Sequence, residues 1–443
     1  MKSPKFSIII PNFNGEQFLR PCLESVLSCH QVKQLSEIIV VDNGSTDHSC
    51  ELITTHFPDI KIVKLPTNTG FTGAIATGVQ VAQGEYLIFL NNDMHVSKEW
   101  LLAYDAYFTD SKNNVCATGL ILDWEGKKID FIRGILMFDG HALQIDQGKT
   151  VEEAGNIQQE DTLIGCGGNM AVKRDLFMAL GGFDKDFFAY TEDVDFSWRL
   201  YASGYKITFL PKAMVFHYHQ GTSSRFGIYR RGFLYERNAF LTIYKNIDEE
   251  FFDKILHATW ITLLHRTREI MALHSNAASI LESVPFSNEA NTPRQLSPAI
   301  TPTNNLIIRC LETLKKYGPT YTIGKILSHM GDALQKKFKE TKPASSSMAE
   351  LSNTLAINHP HIISQLQTIW YILANMENIS HKRKEIQRMR KVPDHEIFQI
   401  FPLFVVNTYP GDEQLFSTNW FKELLPQGIQ FRFASLSEIN KIQ

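Results

Sequence analysis

The chain has 443 residues, 44% of them hydrophobic and 21% charged, with a net charge of -3. That length exceeds one ordinary domain and fits two or three, and the composition is that of a folded globular protein. A slightly acidic balance excludes the strong basic excess of a nucleic-acid binder. The six cysteines, Cys22, Cys29, Cys50, Cys116, Cys166 and Cys310, form no CxxC pair. Their scatter supports neither a zinc site nor a disulfide framework, and reads as reduced core thiols.

The N-terminus runs into a short apolar stretch, Phe6 to Ile10, too brief for a signal peptide, and no uncharged apolar run reaches membrane-spanning length. The expected address is cytoplasmic, with peripheral contact at the inner face of the cell membrane as an added option. From residue 1 to about 110, strand and helix signals alternate. Ser7 to Ile10 reads as a buried strand ended by Pro11 and the turn-forming Asn12-Phe-Asn-Gly15. A helix to about Cys29 follows, with Phe18, Leu19, Cys22, Leu23, Val26 and Leu27 on one face. Glu37 to Val41, Ile60 to Leu65 and Tyr86 to Leu90 are further strands, and Thr72 to Ala82 a helix. Such near-continuous apolar strands argue for a mainly parallel sheet covered on both faces. Ligands on such sheets bind beyond the carboxyl ends of the strands. Here those ends are Asn12 to Asn14, Asp42 to Gly44 and Asn91 to Asp93.

Residues 115 to 220 are more irregular and turn helical from Thr191, which is placed to cap a helix stopped by Gly204. Helical patterns continue to about 280, the Pro-rich 285 to 305 has linker composition, and a second helical stretch covers about 306 to 392. Near the end, Phe401 to Asn407 and Ile429 to Phe433 read as strands around a helix from Asp412 to Leu425. The chain therefore divides into a sheet-bearing domain at 1–245, a helical extension at 246–284, the linker at 285–305 and a helical region at 306–395. Residues 396–443 are an α/β segment, either the start of a further domain or an addition to the first sheet.

The chemistry concentrates at the strand ends. Asp93 is the carboxylate of Asn91-Asn-Asp93, where a magnesium or manganese ion sharing substrate phosphates needs only one or two protein carboxylates. A polar turn is the plainer reading of that tripeptide taken alone. Asp42 can accept hydrogen bonds from a base or ribose, or serve an Asx-turn. Gly70 and Gly73 let backbone approach a ligand. In order and at matching distances, the segments Ser7 to Gly15, Ile39 to Asp47, Asn68-Thr-Gly-Phe71 and Leu90 to Asp93 resemble family 2 glycosyltransferases. Within that family the chain is most similar to the bacterial branch that includes rhamnosyltransferases of surface polysaccharides, over about residues 5 to 245.

The resemblance implies the GT-A fold, a Rossmann-like mixed sheet, followed here by a mostly helical region. It implies an inverting, metal-dependent hexosyl transfer from a dTDP- or UDP-linked sugar to a saccharide or lipid-linked acceptor, using Mg2+ or Mn2+, in polysaccharide synthesis. Pro11, Asn14, Asp42, Asn68, Gly70 and Asn92 would bind the donor, and Asp93 would end the metal motif. In two places the chain departs from that pattern: the metal motif keeps one carboxylate, and Ala76 stands where many relatives carry asparagine. Glu192 and Asp193 fall in the first turn of a helix, where the helix dipole alone would favour them. The resemblance makes Asp193 the base that deprotonates the attacking hydroxyl, with Glu192, Gly167 and Gly168 beside the acceptor. It likewise assigns a histidine at the metal or donor phosphates, His217 in preference to His219. A nucleotidyltransferase would need a basic Gly-rich loop after the first strand, and a dinucleotide-dependent dehydrogenase a GxGxxG; neither is present there. A catalytically silent scaffold subunit of a polysaccharide assembly complex is the alternative of another class.

Overall fold

The structure, a computed structural model, describes residues 3–218, 227–274 and 360–439. The expected linker at 285–305, the helical stretch at 306–359 and His219 lie outside these residues. The chain divides into two compact units, residues 1–267 with 363–443 and residues 268–362. Everything that follows concerns the first.

In chain order it opens with β1 (Phe6–Asn12), α1 (Glu16–Leu27), α2 (Val32–Leu35), β2 (Ser36–Asp42), α3 (Ser49–His56), β3 (Lys61–Lys64), α4 (Gly70–Val81) and β4 (Tyr86–Leu90). The five residues of β4 are all buried, as are six of the seven in β1. That demands helices on both faces. α1 supplies one cover by burying Phe18, Leu19, Cys22, Leu23 and Val26. Each of its large aliphatic or aromatic side chains contributes about 1.5–3 kcal/mol relative to exposure. α4 packs on the other face, with Ala74, Ile75 and Val79 in the cluster that holds Ile9, Ile39 and Phe89.

The irregular middle contains more strand than its sequence suggests. It comprises β5 (Met94–Val96), α5 (Trp100–Asp110), β6 (Cys116–Asp123), β7 (Ile129–Phe131), β8 (Gly134–Leu136) and β9 (Ala142–Gln144). There follow α6 (Val151–Ala154), β10 (Glu160–Asp161), β11 (Asn169–Lys173), α7 (Arg174–Ala179), α8 (Glu192–Ala202) and β12 (Thr208–His217). Several of these strands have only two or three residues, too short for an alternating pattern to register. The main sheet runs β10-β12-β6-β11-β4-β1-β2-β3, with β5 on β12 and β7 on β6. β1 is parallel to β2 and β4, whereas β11 is antiparallel to both β4 and β6. The sheet is thus mixed, as the GT-A resemblance implies, rather than mainly parallel. Buried Asn169 ties its middle together: its side chain receives Trp100 Nε1 at 2.9 Å and Tyr104 Oη at 2.8 Å and donates to Ala213 O at 2.9 Å.

Helices α9 (Gly227–Asn246), α10 (Phe252–His274), α11 (Pro360–Met389) and α12 (Asp394–Ile400) follow, then β13 (Leu403–Val406) and β14 (Phe431–Ala434). The expected helix over Asp412 to Leu425 is two, Asp412–Phe416 and Asn419–Leu424, because the Thr418 hydroxyl caps a fresh start at Phe421 N. β13 and β14 pair with each other in parallel, and a single bridge joins Phe404 to Met137 beside the β8–β9 hairpin.

Candidate active site

At the carboxyl ends of the central strands lies a cleft of about 620 Å³. Strand register assembles its floor. Asn12 pairs with Asp42 across β1 and β2, and Asn12 Nδ2 donates to Asp42 Oδ1 at 3.2 Å. From the other side, Asn92 Nδ2 donates to Asn12 Oδ1 at 2.7 Å. Asn43 fixes the rim: it donates to Gly70 O at 2.9 Å and accepts from Thr69 N at 2.9 Å. Gly70 has φ +78, and a Cβ there would collide with the Phe188 carbonyl oxygen, so only glycine fits.

Register also builds the acidic wall. In the β5–β12 pair His217 faces Met94, and Tyr218 N donates to Asp93 O at 2.9 Å, which sets His217 beside Asp93. His217 Nε2 lies 3.5 Å from Asp93 Oδ1, and Nδ1 lies 2.6 Å from Asp130 Oδ2. Asp130 arrives on β7, which pairs with β6 as β6 pairs with β12. Burial disfavours a charged imidazole, but the hydrogen bonds and charges of Asp130 and Asp93 outweigh it and raise the His217 pKa from 6.5 to about 10. Asp93, His217 and Asp130 thus form a chain in which a carboxylate orients the ring nitrogen opposite the one facing Asp93. Carboxylate-backed imidazoles of this kind commonly serve as ligands of divalent cations.

The acidic pair lies at the start of α8. Thr191 does not cap this helix through its side chain; it sits at φ 60 and its hydroxyl donates to Tyr190 O. The left-handed stop expected at Gly204 is present, with φ +86. Asp193 Oδ2 accepts Gly167 N at 2.9 Å and Oδ1 accepts Val194 N at 2.8 Å. Burial raises its pKa while these backbone donors pull it down, and the net shift is upward. Glu192 is only 6% exposed, and its Oε2 has no hydrogen-bond partner. Burial first, then the charge of Asp193, raise its pKa well above the usual carboxylate range. Two adjacent buried carboxyls do not both ionise readily, and the backbone donors favour charge on Asp193. Glu192 therefore keeps the proton. Asp195, nearby on the same helix, is committed elsewhere, to Arg199 at 2.8 Å and Lys245 at 3.0 Å.

Of the residues singled out from the sequence, Pro11, Asn68, Gly70, Asn92, Asp93, Gly168, Glu192, Asp193 and His217 line the cleft together. Asn14, Asp42 and Gly167 do not. Asn14 takes φ 51 and its Oδ1 accepts Thr46 N at 2.7 Å, pinning the loop after β2. Asp42 is 3% exposed and accepts Ser45 N at 3.2 Å, an Asx-turn that the sequence left open. Gly167 meets the site through its bond to Asp193. Sequence reasoning missed Asn12, Asn43 and Asp130, and also Arg231 and Tyr235, which line the cleft from α9. Asn12 and Asn43 had a signal, each being next to a residue already marked at a strand end. Asp130 lies 87 positions from His217, and nothing local marks it.

Residues 7–181 match the family model described as Glycosyl transferase family 2, and residues 150–264 match Glycosyl transferase family group 2. An uncharacterized glycosyltransferase of Haemophilus influenzae is 40% identical over 105 residues, which are 23% of this chain and 41% of that protein. A poly(ribitol-phosphate) beta-glucosyltransferase of Bacillus spizizenii is 29% identical over 115 residues, 25% of this chain and 18% of that protein. The solved structure of GalNAc-T7 with UDP, GalNAc and Mn2+ superposes with a TM-score of 0.47 at 20% identity, covering 58% of this chain and 50% of that one. The matched segments span less than half the length of these two curated relatives.

Proposed function

The part of this chain from residue 7 to 181 belongs to glycosyltransferase family 2, and on that premise we propose that the protein transfers a sugar from a nucleoside-diphosphate donor to a hydroxyl of a saccharide or lipid-linked acceptor, with inversion. One observation carries the reading. Asp93 and His217, the latter backed by Asp130, share a single cleft at the ends of the central strands with the carboxyl pair Glu192 and Asp193. Asn68, Gly70 and Asn92 with Pro11 are the donor-binding candidates, and Asn14 and Asp42 support them from behind.

Asp93 and His217 fit a divalent cation, Mg2+ or Mn2+, by the chemistry of their donor atoms and by the carboxylate behind the imidazole. Binding it would require His217 to release the proton that Asp93 and Asp130 hold on the ring. Among the described residues no three His, Cys, Asp or Glu side chains are arranged to hold a metal ion by themselves. The remaining ligands would then come from the donor diphosphate, the usual arrangement for such ions. Bound there, the ion supplies Lewis acidity at the leaving diphosphate. Asp193 holds the acceptor hydroxyl and takes its proton as that oxygen bonds to the anomeric carbon. The anomeric bond to the diphosphate breaks on the opposite face, so the product anomer is inverted. Gly167 N–H fixes the carboxylate in position, and its upward pKa shift makes it a stronger base than an ordinary aspartate while it stays ionised. The acceptor approaches over Gly168 and Glu192. A role in surface polysaccharide synthesis is consistent with a relative named for action on poly(ribitol-phosphate).

The test is calorimetric titration of UDP and dTDP with Mg2+ or Mn2+ against wild type and Asp93→Ala. Wild type should bind in a metal-dependent way, and the variant should lose that dependence while keeping its circular dichroism spectrum. Equal binding by both, with or without chelator, overturns the metal assignment. Release of nucleoside diphosphate when acceptor is added separates an enzyme from a scaffold.

A further inference from the structure

Helix α9 contributes two residues to the cleft one turn apart, Arg231 and Tyr235. Tyr235 lies on Tyr190 with ring centroids 4.5 Å apart and planes inclined by 25°, yet 44% of its surface remains open. One face of the pair is thus a platform at the cleft. Arg231 is the cleft's sole lysine or arginine among the described residues, and it makes no ion pair or hydrogen bond there. Neighbouring cations are engaged. Arg230 lies over the Phe188 ring at 4.6 Å, and Arg237 donates to the carbonyls of Asp186 and Phe187. Arg231 and Tyr235 line the same cleft as Glu192 and Asp193. The second unsatisfied group is there too: Glu192 Oε2, buried in the cleft wall without a partner.

An unpaired guanidinium in a cleft otherwise lined by Asp93, Glu192 and Asp193 calls for an anion from the ligand. Resting on the function proposed above, the donor diphosphate has its own place, through the cation that Asp93 and His217 would hold, in the turn before β5 and on β12 rather than on α9. A flat aromatic face with a polar rim suits the CH-rich face of a pyranose. We propose that the acceptor is a pyranose carrying an oxyanion, a phosphate or a carboxylate. Its ring lies on Tyr235, its oxyanion on Arg231, and its reacting hydroxyl against Asp193, with protonated Glu192 donating a hydrogen bond to the sugar. Arg231 and Tyr235 set acceptor specificity and leave donor binding untouched.

The experiment is saturation-transfer NMR on the full chain with Mg2+ and saturating UDP. Three probes are compared: methyl glucoside, glucose 6-phosphate and glucuronate. The anionic sugars should outcompete the neutral one. Arg231→Gln should weaken them by at least about tenfold, the range expected for a charge-assisted bond, with Arg231→Lys restoring part of the loss. Tyr235→Ala should weaken all three probes. UDP affinity by calorimetry should be the same in every variant. Preference for glucose 6-phosphate assigns a phosphorylated acceptor, and preference for glucuronate a uronic acid. Equal binding of neutral and anionic probes overturns the proposal, as does a loss of UDP affinity in Arg231→Gln. Wild type that binds neither UDP nor dTDP with metal sinks the transfer function itself, a failure distinct from binding UDP without favouring an anionic sugar.

Discussion

Two neighbouring carboxyl groups, Glu192 and Asp193, are predicted to behave differently under near-isosteric substitution. Asp193→Asn removes the ionised base, so the chemical step should fall by about 100- to 10,000-fold with donor affinity kept. Glu192→Gln replaces an already neutral acid and keeps a hydrogen-bond donor. It should stay within about tenfold of wild type at neutral pH, because only one neutral–neutral hydrogen bond is at stake. Single-turnover rates for both variants check this, and equal loss in the two would mean that Glu192 carries the charge. The upward shift of Asp193 also fixes a sign: activity should rise with pH through a pKa above the usual aspartate value of 3.8. Asp130→Asn removes the carboxylate behind His217 and should lower metal affinity by about 10- to 100-fold, read by UDP calorimetry over a Mn2+ series. Asp93, Glu192, Asp193 and His217 were legible because each ends a strand or opens a helix in a recognisable segment. Asp130 was not, since its place depends on β7 returning against β6.

Between the elements, one buried group of charges joins the cleft wall to the C-terminal segment. Arg266 on α10 bonds Asp139 Oδ2 at 2.8 Å and Asp412 Oδ1 at 2.9 Å, and all three side chains are at most 3% exposed. Asp139 stands in the turn of the β8–β9 hairpin, whose Gly134, Ala142, Leu143 and Gln144 line the cleft. Nearby, Tyr409 Oη donates to Glu236 Oε1 at 2.5 Å, and Glu236 belongs to α9, the helix that presents Arg231 and Tyr235. Arg266→Gln would leave buried Asp412 without its cation and Asp139 with His141 alone, and should cost about 3–5 kcal/mol, measured by denaturant unfolding. A loss below about 1 kcal/mol would put the pair in the class of exposed salt bridges and remove it as the hairpin's anchor. None of this could be read in the sequence. Asp139, Arg266 and Asp412 sit in segments whose local patterns say turn, helix and helix start, and only the packing of remote elements makes them one group. The alternating strands and helices of the first hundred residues were legible for the opposite reason. Their signals are local, and each strand is long and apolar enough to read alone.

For the molecule as a whole, the depressed carboxylates set the acid limit of stability. Burial alone would raise Asp139, Asp184 and Asp195, but His141 with Arg266, Lys245 with Lys382, and Arg199 with Lys245 respectively hold all three below the ordinary value of 3.8. A lowered native pKa means that the unfolded chain takes up protons first. The stabilisation is complete well above pH 3.8 and is lost as pH falls through and below that value. These same pairings bear on membrane contact, for which Lys382, Arg383, Lys384, Arg388, Arg390 and Lys391 are the candidate basic residues. Lys382 is held by Asp184 and Asp186, Arg383 by Glu249, and Arg390 by Asp394. Lys384, Arg388 and Lys391 remain exposed, and no helix among the described residues is long and apolar enough to cross a membrane. At about 1 kcal/mol per basic residue near an anionic surface, three of them give about 3 kcal/mol, weak enough to be lost to screening. Co-sedimentation with phosphatidylserine vesicles should therefore show binding at low salt that disappears at physiological salt. Replacing Lys384, Arg388 and Lys391 together by glutamine should abolish the low-salt binding without changing the unfolding midpoint, whereas binding that survives both salt and the triple substitution would place the contact on another face.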